Sequence, residues 1–160
     1  RYNGWTQANG VSLYDSYSGN QNNNFLLFYR NGNQVGSITN TLSAVQFNTS
    51  SDYRLKENVN YTWDATTRLK QLKPARFNWI TDDTNTLVDG FIAHEAQTVV
   101  PESVSGTKDA MMDRDTYDAI GNVNGTENVI DPQGIDQSKL VPLLVKTIQE
   151  LEARITALEA

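Results

Sequence analysis

The last 20 residues carry the most regular apolar spacing in the chain, and that spacing predicts a single helix. Six apolar residues recur at intervals of 3, 4, 3, 4 and 3: Val141, Leu144, Ile148, Leu151, Ile155 and Leu158. A seam of this kind makes a helix self-associate or dock on a globular core. We predict a long coiled-coil-like helix over residues 138–160, with Ser138 as its cap, Pro142 in its first turn and a supporting Glu150–Arg154 pair.

The first 50 residues have a composition that argues against helices. Half of them are Asn, Ser, Gly or Thr, Lys and Glu are absent, and the only charged side chains are Arg1, Asp15 and Arg30. Such residues favour turns and β-structure. The next 110 residues carry a net charge of −7 and an ordinary mixture of residue types. We therefore place a boundary at Ser50/Ser51 and predict a β-rich segment, residues 1–50, followed by a mixed domain, residues 51–160.

The clearest β signal is a hairpin. Phe25–Arg30 and Asn33–Ile38 read as strands around Asn31-Gly32, the dipeptide typical of a type I′ turn. Another strand is predicted at Val11–Tyr14. Fifty residues with so little apolar material cannot bury enough surface to be stable alone. We expect the strands to complete their core with partner chains, as in an intertwined trimeric fibre; the alternative is a small β-subdomain of a monomer.

Residues 51–160 predict an α+β fold. A short helix is expected from Asp64, as its N-cap, to Leu72 ahead of Pro74, with a strand at residues 76–80. A second strand at residues 90–93 is expected to run into a helix at residues 94–100. Residues 105–128 are polar and suggest irregular structure, followed by a short strand at residues 129–130.

Composition also narrows the classes of function. The chain has no cysteine, its pI is about 4.7, and its apolar runs are far shorter than the roughly 20 residues that span a bilayer. We therefore expect neither nucleic-acid binding nor membrane insertion. No cofactor or metal site is predicted, because the solitary His94 lacks the second histidine of a zincin. Because the chain begins at Arg1 without a leader-like segment, we expect it to be part of a longer protein.

Chemistry is suggested at the boundary itself, where Lys56 follows Ser51 by five residues. A neutral lysine can act as general base to a serine hydroxyl. Five residues put two side chains on opposite faces of a strand and far apart around a helix, so the chain must turn between them. A lysine must also lose its proton, and with a reference pKa near 10.4 this requires burial or a neighbouring cation.

Four separated blocks of sequence resemble one known family. They are residues 51–58, SDYRLKEN; residues 89–95, DGFIAHE; residues 100–102, VPE; and residues 138–151, SKLVPLLVKTIQEL. In this order they resemble the C-terminal intramolecular chaperones. These are the self-cleaving ends of bacteriophage tail spikes and tail fibres of the endosialidase type, shared with the myelin regulatory factor membrane proteins.

The resemblance implies a function as well as a fold. It implies a homotrimer that aligns and folds the upstream fibre or spike segment of the same chain and then releases itself by cutting the Ser50–Ser51 bond. Carried onto this sequence, Ser51 is the nucleophile and Lys56 the general base, while His94 and Glu95 have a supporting role near the dyad. It places the protein in the virion tail, assembled in the cytoplasm of the bacterial host.

Two alternatives remain open on the sequence. In one, the first segment is a receptor-binding fibre tip in which Trp5, Tyr14 and Tyr17 contact host surface glycans, although aromatic residues serve equally well in strand cores. In the other, the second domain is a purely structural trimerisation domain that does not cleave. An intact chain in mass spectrometry would distinguish this last reading from proteolysis.

Overall fold

A computed structural model describes residues 23–41 and 43–160. They divide into two compact units, which separate between Asn60 and Tyr61. The predicted strand at Val11–Tyr14 and the aromatic residues proposed for glycan contact lie outside the described residues. The mixed α+β class is confirmed, because the chain combines several small antiparallel sheets with helices.

The first unit contains one antiparallel sheet of three strands in sequence order. These are β1 (Asn23–Arg30), β2 (Asn33–Asn40) and β3 (Val45–Thr49). Between β1 and β2, Asn31 and Gly32 have φ values of 49° and 79°. A type I′ turn requires positive φ at both central positions, which Asn and Gly tolerate best. The predicted hairpin is therefore confirmed.

The sheet has apolar side chains but buries none of them fully in its described part. Leu26, Ile38 and Phe47 are paired across the three strands, yet Phe47 is 79% exposed. The buried hydrophobic residues of the described chain all lie in the second unit. The sheet is therefore held chiefly by its hydrogen-bonded pairing rather than by a core of its own.

The second unit is built from short elements and one long helix. Its helices and strands are α1 (Ala65–Leu69), β4 (Ala75–Phe77), β5 (Val88–Gly90), α2 (Ala93–Gln97), β6 (Val104–Ser105), β7 (Met111–Tyr117), β8 (Val123–Ile130), β9 (Gly134–Ile135) and α3 (Val141–Glu159). The strands form three two-stranded antiparallel sheets, β4–β5, β6–β9 and β7–β8. No described helix has the length and apolar character needed to cross a membrane.

A small core joins α1 to α3 in the second unit. Its buried members are Ala65, Val99, Val100, Leu140 and Leu143, with Trp63, Leu69, Leu72 and Phe91 packed against them. The predicted cap of α1 is confirmed, because the Asp64 carboxylate accepts a hydrogen bond of 2.9 Å from the Thr67 N–H. This capped helix presents Ala65 and Leu69 to the core at i and i+4, as its short length requires.

Two elements of the second unit end earlier than predicted. The first strand of the second unit ends at Phe77 rather than at residue 80, because the chain then turns around the Asp82 carboxylate, which accepts bonds from Thr84 N–H and Thr86 N–H. The next helix ends at Gln97 rather than at residue 100, and Pro101 instead begins a 3₁₀ turn, Pro101–Ser103.

The prediction of irregular structure over residues 105–128 is wrong. Most of this stretch forms the antiparallel hairpin of β7 and β8. Its strands are joined by polar pairs, among them Arg114 Nη2–Glu127 Oε1 at 2.6 Å and Asn128 Nδ2–Asp113 Oδ1 at 2.9 Å. Because polar residues occupy both exposed faces, the sequence lacks the apolar alternation by which a half-buried strand is recognised.

The C-terminal helix is confirmed, but its start differs from the prediction. Pro142 does lie in its first turn, whereas Ser138 is not its cap. The helix continues directly from a 3₁₀ turn, Gln137–Leu140, whose N-cap is Asp136, and Ser138 donates its N–H to the Asp136 carboxylate at 3.0 Å. The helix therefore begins from 3₁₀-type backbone hydrogen bonds, and not from a cap by the Ser138 hydroxyl.

Two different faces of α3 have different surroundings. Leu143 and Thr147 are buried in the second unit, and Glu150, one turn further on, bonds to α1. The six residues of the heptad seam are exposed instead, from 43% at Leu151 to 88% at Leu158. The helix therefore docks by a face that the heptad pattern does not mark, and the seam stays open in the single chain.

Candidate functional site

The Ser51 and Lys56 side chains meet in the structure. Lys56 Nζ donates a hydrogen bond of 2.7 Å to Ser51 Oγ. The two residues flank a 3₁₀ turn, Tyr53–Leu55, so the chain turns between them as the spacing requires. Ser51 comes just after β3, the last strand of the first unit. The contact is thus formed within a single short segment of one unit.

The turn is built by its own backbone and by one carboxylate. Leu55 N–H donates to the Asp52 carbonyl and Lys56 N–H to the Tyr53 carbonyl, both at 3.1 Å. Asp52 is the N-cap, and its Oδ1 accepts a bond of 2.9 Å from Arg54 N–H. An aspartate at this position satisfies an amide that the turn itself leaves unpaired.

Arg54 also pairs with Asp52 through its side chain. Its Nε and Nη2 donate to the two carboxylate oxygens at 3.0 and 2.7 Å. These side-chain bonds, together with the bond from Arg54 N–H, hold the pKa of Asp52 below its ordinary value, and Asp52 in turn raises the pKa of Arg54. The capping carboxylate is therefore ionised at neutral pH.

The residue on the other side of the predicted cut is fixed to the sheet. Ser50 N–H donates to the Val35 carbonyl at 3.2 Å, and Ser50 Oγ donates to the Gln34 carbonyl at 2.8 Å. The two adjacent serines are therefore in different situations. The Ser50 hydroxyl is bonded to β2, whereas the Ser51 hydroxyl faces the lysine.

Both members of the Ser51–Lys56 pair are exposed to solvent. An amine that acts as a base must be neutral, and burial in a low-dielectric environment is a general means of favouring the neutral form. The single chain thus supplies the contact between hydroxyl and amine without the desolvation that a base of this kind needs.

The supporting residues suggested by the sequence lie in the second unit. His94 and Glu95 are both half-buried in α2, and Glu95 Oε1 accepts a bond of 3.3 Å from Lys73 Nζ. Lys108, first by its hydrogen bond and then by its charge, lowers the pKa of Asp109, with a smaller contribution from His94. A role of His94 and Glu95 toward the Ser51–Lys56 pair stays a prediction.

A comparison with protein families identifies the segment that begins at the site. Residues 51–105 match the sequence model of a family described as chaperone of endosialidase, which is classed among the S74 peptidases. This segment belongs to that family. The match starts at Ser51, the first residue after the predicted cut, and it confirms the resemblance of the three sequence blocks that lie within residues 51–105. No curated protein matches the chain.

Membership gives the coarser function directly. The chaperone-of-endosialidase segment supports a chaperone role and a peptidase class for this chain. Among the residues that the structure describes, no group of three or more metal-ligating side chains is found. Asp113 and Asp115 lie in β7 and Asp118 in the turn after it.

Sequence reasoning missed two residues of the chain that organise its structure. Asp52 has no role in the sequence-based prediction, although an Asp just before a turn signals an N-cap. Glu150 was assigned to Arg154 on its own helix, but its carboxylate accepts three bonds from α1, from Ala65 N–H, Thr66 N–H and Thr66 Oγ1 at 3.0, 2.8 and 2.6 Å. Only the packing of α3 on α1 reveals that partner.

Proposed function

We propose that this chain is an intramolecular chaperone that trimerises, folds the end of a phage tail fibre or spike, and then releases itself by cutting the Ser50–Ser51 bond. The observation that carries the proposal is the 2.7 Å contact of Lys56 Nζ with Ser51 Oγ at the first residue of the family match. A virion tail is the expected location.

The proposed reaction needs one hydroxyl, one amine and one water. Neutral Lys56 takes the proton of Ser51 Oγ, and the oxygen attacks the carbonyl carbon of Ser50. The C–N bond breaks, the Ser51 nitrogen receives the proton from Lys56, and an ester joins Ser50 to Ser51 Oγ. Water hydrolyses this ester to the Ser50 carboxylate and the Ser51 hydroxyl. Because the groups are tethered, proximity contributes much of the rate and no substrate cleft is needed.

The exposed apolar surfaces support the assembly part of the proposal. The described sheet of the first unit buries none of its apolar residues fully, and the heptad seam of α3 is exposed along its length. A seam that associates raises the effective concentration of the upstream strands. Strands that pair between chains have high contact order and fold slowly. An attached trimerisation domain would therefore speed their pairing.

Assembly would also supply the burial that the dyad lacks in the single chain. Ser51 and Lys56 are exposed, and covering them would favour the neutral amine. In this proposal the bond is cut after the chains associate, so the chaperone is removed only from a fibre that has formed. Removal then leaves a fibre that is difficult to unfold, which is kinetic stability.

Mass spectrometry of freshly expressed protein tests the cleavage. We expect the wild-type chain to yield a fragment of residues 51–160, and Ser51→Ala and Lys56→Ala to remain full-length, because each removes one member of the dyad. Ser43→Ala, which removes another exposed hydroxyl of the same unit, is the matched control and should cleave normally. Hydroxylamine should trap the ester as a Ser50 hydroxamate.

Release of the same fragment by Ser51→Ala or Lys56→Ala would show that the dyad is assigned wrongly. An intact wild-type chain in an assembled trimer would instead favour the alternative of a receptor- or glycan-binding fibre tip carried by a non-cleaving trimerisation domain. A trimer measured by light scattering, together with the fragment mass, supports the full proposal.

A further inference from the structure

The five-residue separation of Ser51 and Lys56 makes their contact depend on the turn between them. In an extended strand the same separation would place the two residues about 16 Å apart, at roughly 3.3 Å per residue. With the 3₁₀ turn Tyr53–Leu55 between them, Lys56 Nζ instead lies 2.7 Å from Ser51 Oγ. Whatever stabilises the turn therefore also stabilises the dyad.

Packing does not stabilise this turn in the described chain. None of its three residues is buried, and Tyr53 and Leu55 are 81% and 75% exposed. A single 3₁₀ turn has poor hydrogen-bond geometry and little cooperativity of its own. The remaining restraint is the N-cap, where Asp52 Oδ1 accepts from Arg54 N–H at 2.9 Å.

We propose that Asp52 is a positioning residue for the self-cleavage, because its carboxylate caps the turn that returns Lys56 to Ser51. Arg54 assists by clamping both carboxylate oxygens through Nε and Nη2, which orients Oδ1 toward the amide. Asp52 takes no proton in the reaction. The inference rests on the proposed function and adds to it the residue that sets the geometry of the dyad.

The two sides of the scissile bond are then held by separate anchors. Ser50 is fixed to β2 by its N–H and its hydroxyl, while Ser51 and Lys56 are brought together by the Asp52-capped turn. Electrophile, nucleophile and base are thereby ordered before reaction. In intramolecular reactions, small displacements of such groups cost large factors in rate, about 100-fold for 1 Å.

Single-turnover cleavage rates of variants test this role. We expect Asp52→Ala to slow the release of residues 51–160 by 10- to 100-fold. Asp52→Asn should restore the rate to within about threefold, because Asn caps as well as Asp. Arg54→Ala keeps the backbone N–H that the cap binds, so it should slow release less than Asp52→Ala does. Asp82→Ala removes a similar cap from an exposed turn of the second unit and is the control.

A pH series separates positioning from proton transfer. Lys56 also acts on Asp52 through its charge, so Asp52→Ala and Asp52→Asn both remove a charged neighbour of the base and should share one midpoint of the pH–rate profile. If Asp52 acts through its cap, Asp52→Ala is slower than Asp52→Asn at every pH. An Asn variant as slow as the Ala variant across the pH range would show that the charge and not the cap is needed, and would overturn the inference.

Failure of the inference and of the proposed function give different results. If Ser51→Ala is blocked while Asp52→Ala cleaves at the wild-type rate, the dyad stands and the positioning role is wrong. If Ser51→Ala still releases the fragment, the dyad itself is wrong. Should Asp52→Ala fail to assemble, the order of rates among wild type, Asp52→Asn and Arg54→Ala decides, and an Asn variant slower than Arg54→Ala contradicts the cap.

Discussion

The two units of this chain use their apolar residues in opposite ways. The second unit buries Val100, Leu140 and Leu143 in a core that joins α1 to α3, whereas the described sheet of the first unit leaves Phe28, Val45 and Phe47 exposed. One unit is thus stabilised by burial within its own chain. In the described residues, the other is held by strand pairing and leaves apolar side chains exposed in the single chain.

Under the proposed function, this difference places the stability of a single chain where it is needed. A folding aid must form before the segment that it aligns, so it needs a core that a single chain can complete. In that proposal the upstream strands have no such requirement, because they fold only after three copies are brought together. Variants that affect one unit and not the other test this comparison.

The largest expected effect is the loss of a core side chain in the second unit. Leu143→Ala removes a residue that is 2% exposed and should lower the free energy of unfolding by about 2–5 kcal/mol. Leu144→Ala is the matched control, since its side chain is 45% exposed on the heptad seam. Denaturant unfolding of the monomeric state measures both, and equal losses would contradict the assignment of the two faces.

A smaller effect is expected from the link between α3 and α1. Hydrogen bonds from Thr66 Oγ1 and from the Ala65 and Thr66 N–H groups lower the pKa of Glu150 below its ordinary value. A carboxyl whose pKa is lowered on folding stabilises the protein above its unfolded pKa, about 4.3 for glutamate, and this stabilisation is lost as the pH falls through the folded value.

Glu150→Gln should therefore lower the melting temperature at pH 7 and reduce the further loss of stability between pH 5 and pH 3. Glu152→Gln, an exposed carboxyl on the same helix, is the control. Melting curves over this pH range measure the effect. A Glu150→Gln variant as acid-sensitive as the wild type would mean that the carboxylate contributes little to joining the two helices.

The smallest effect in the single chain is expected in the sheet. Phe47→Ala removes a side chain that is 79% exposed, so the stability of the unassembled chain should change by no more than about 0.5 kcal/mol. If partner chains cover this face, the same variant should clearly lower the yield of assembled trimer, measured by light scattering. A large loss of stability in the monomer would contradict the comparison between the units.

Local signals in the sequence were sufficient for several elements. Asn31-Gly32 specified its turn because few residues tolerate two positive φ values in succession, and Asp64 specified the start of α1 by supplying a capping oxygen. The hairpin of β7 and β8 was missed because its stability depends on polar cross-strand pairs such as Arg114–Glu127, which leave no periodic trace.

The candidate site also has features that the sequence predicts and features that only the structure shows. The sequence blocks brought out Ser51 and Lys56 and the family to which residues 51–105 belong. Spacing alone showed that a turn was necessary but not what would hold it. The Asp52 cap, the Arg54 clamp and the anchoring of Ser50 to β2 appear only when backbone amides and side chains are placed in space.

By itself, the sequence determined the β-rich character of the hairpin segment, the α+β mixture that follows and the existence of the C-terminal helix. These depend on properties of neighbouring residues: turn preference, capping and apolar period. The tertiary structure decided which face of α3 is buried, where the Glu150 carboxylate binds and how closely Lys56 approaches Ser51. Those outcomes depend on groups that are distant along the chain or on the detailed path of a turn. Local sequence patterns predict neither.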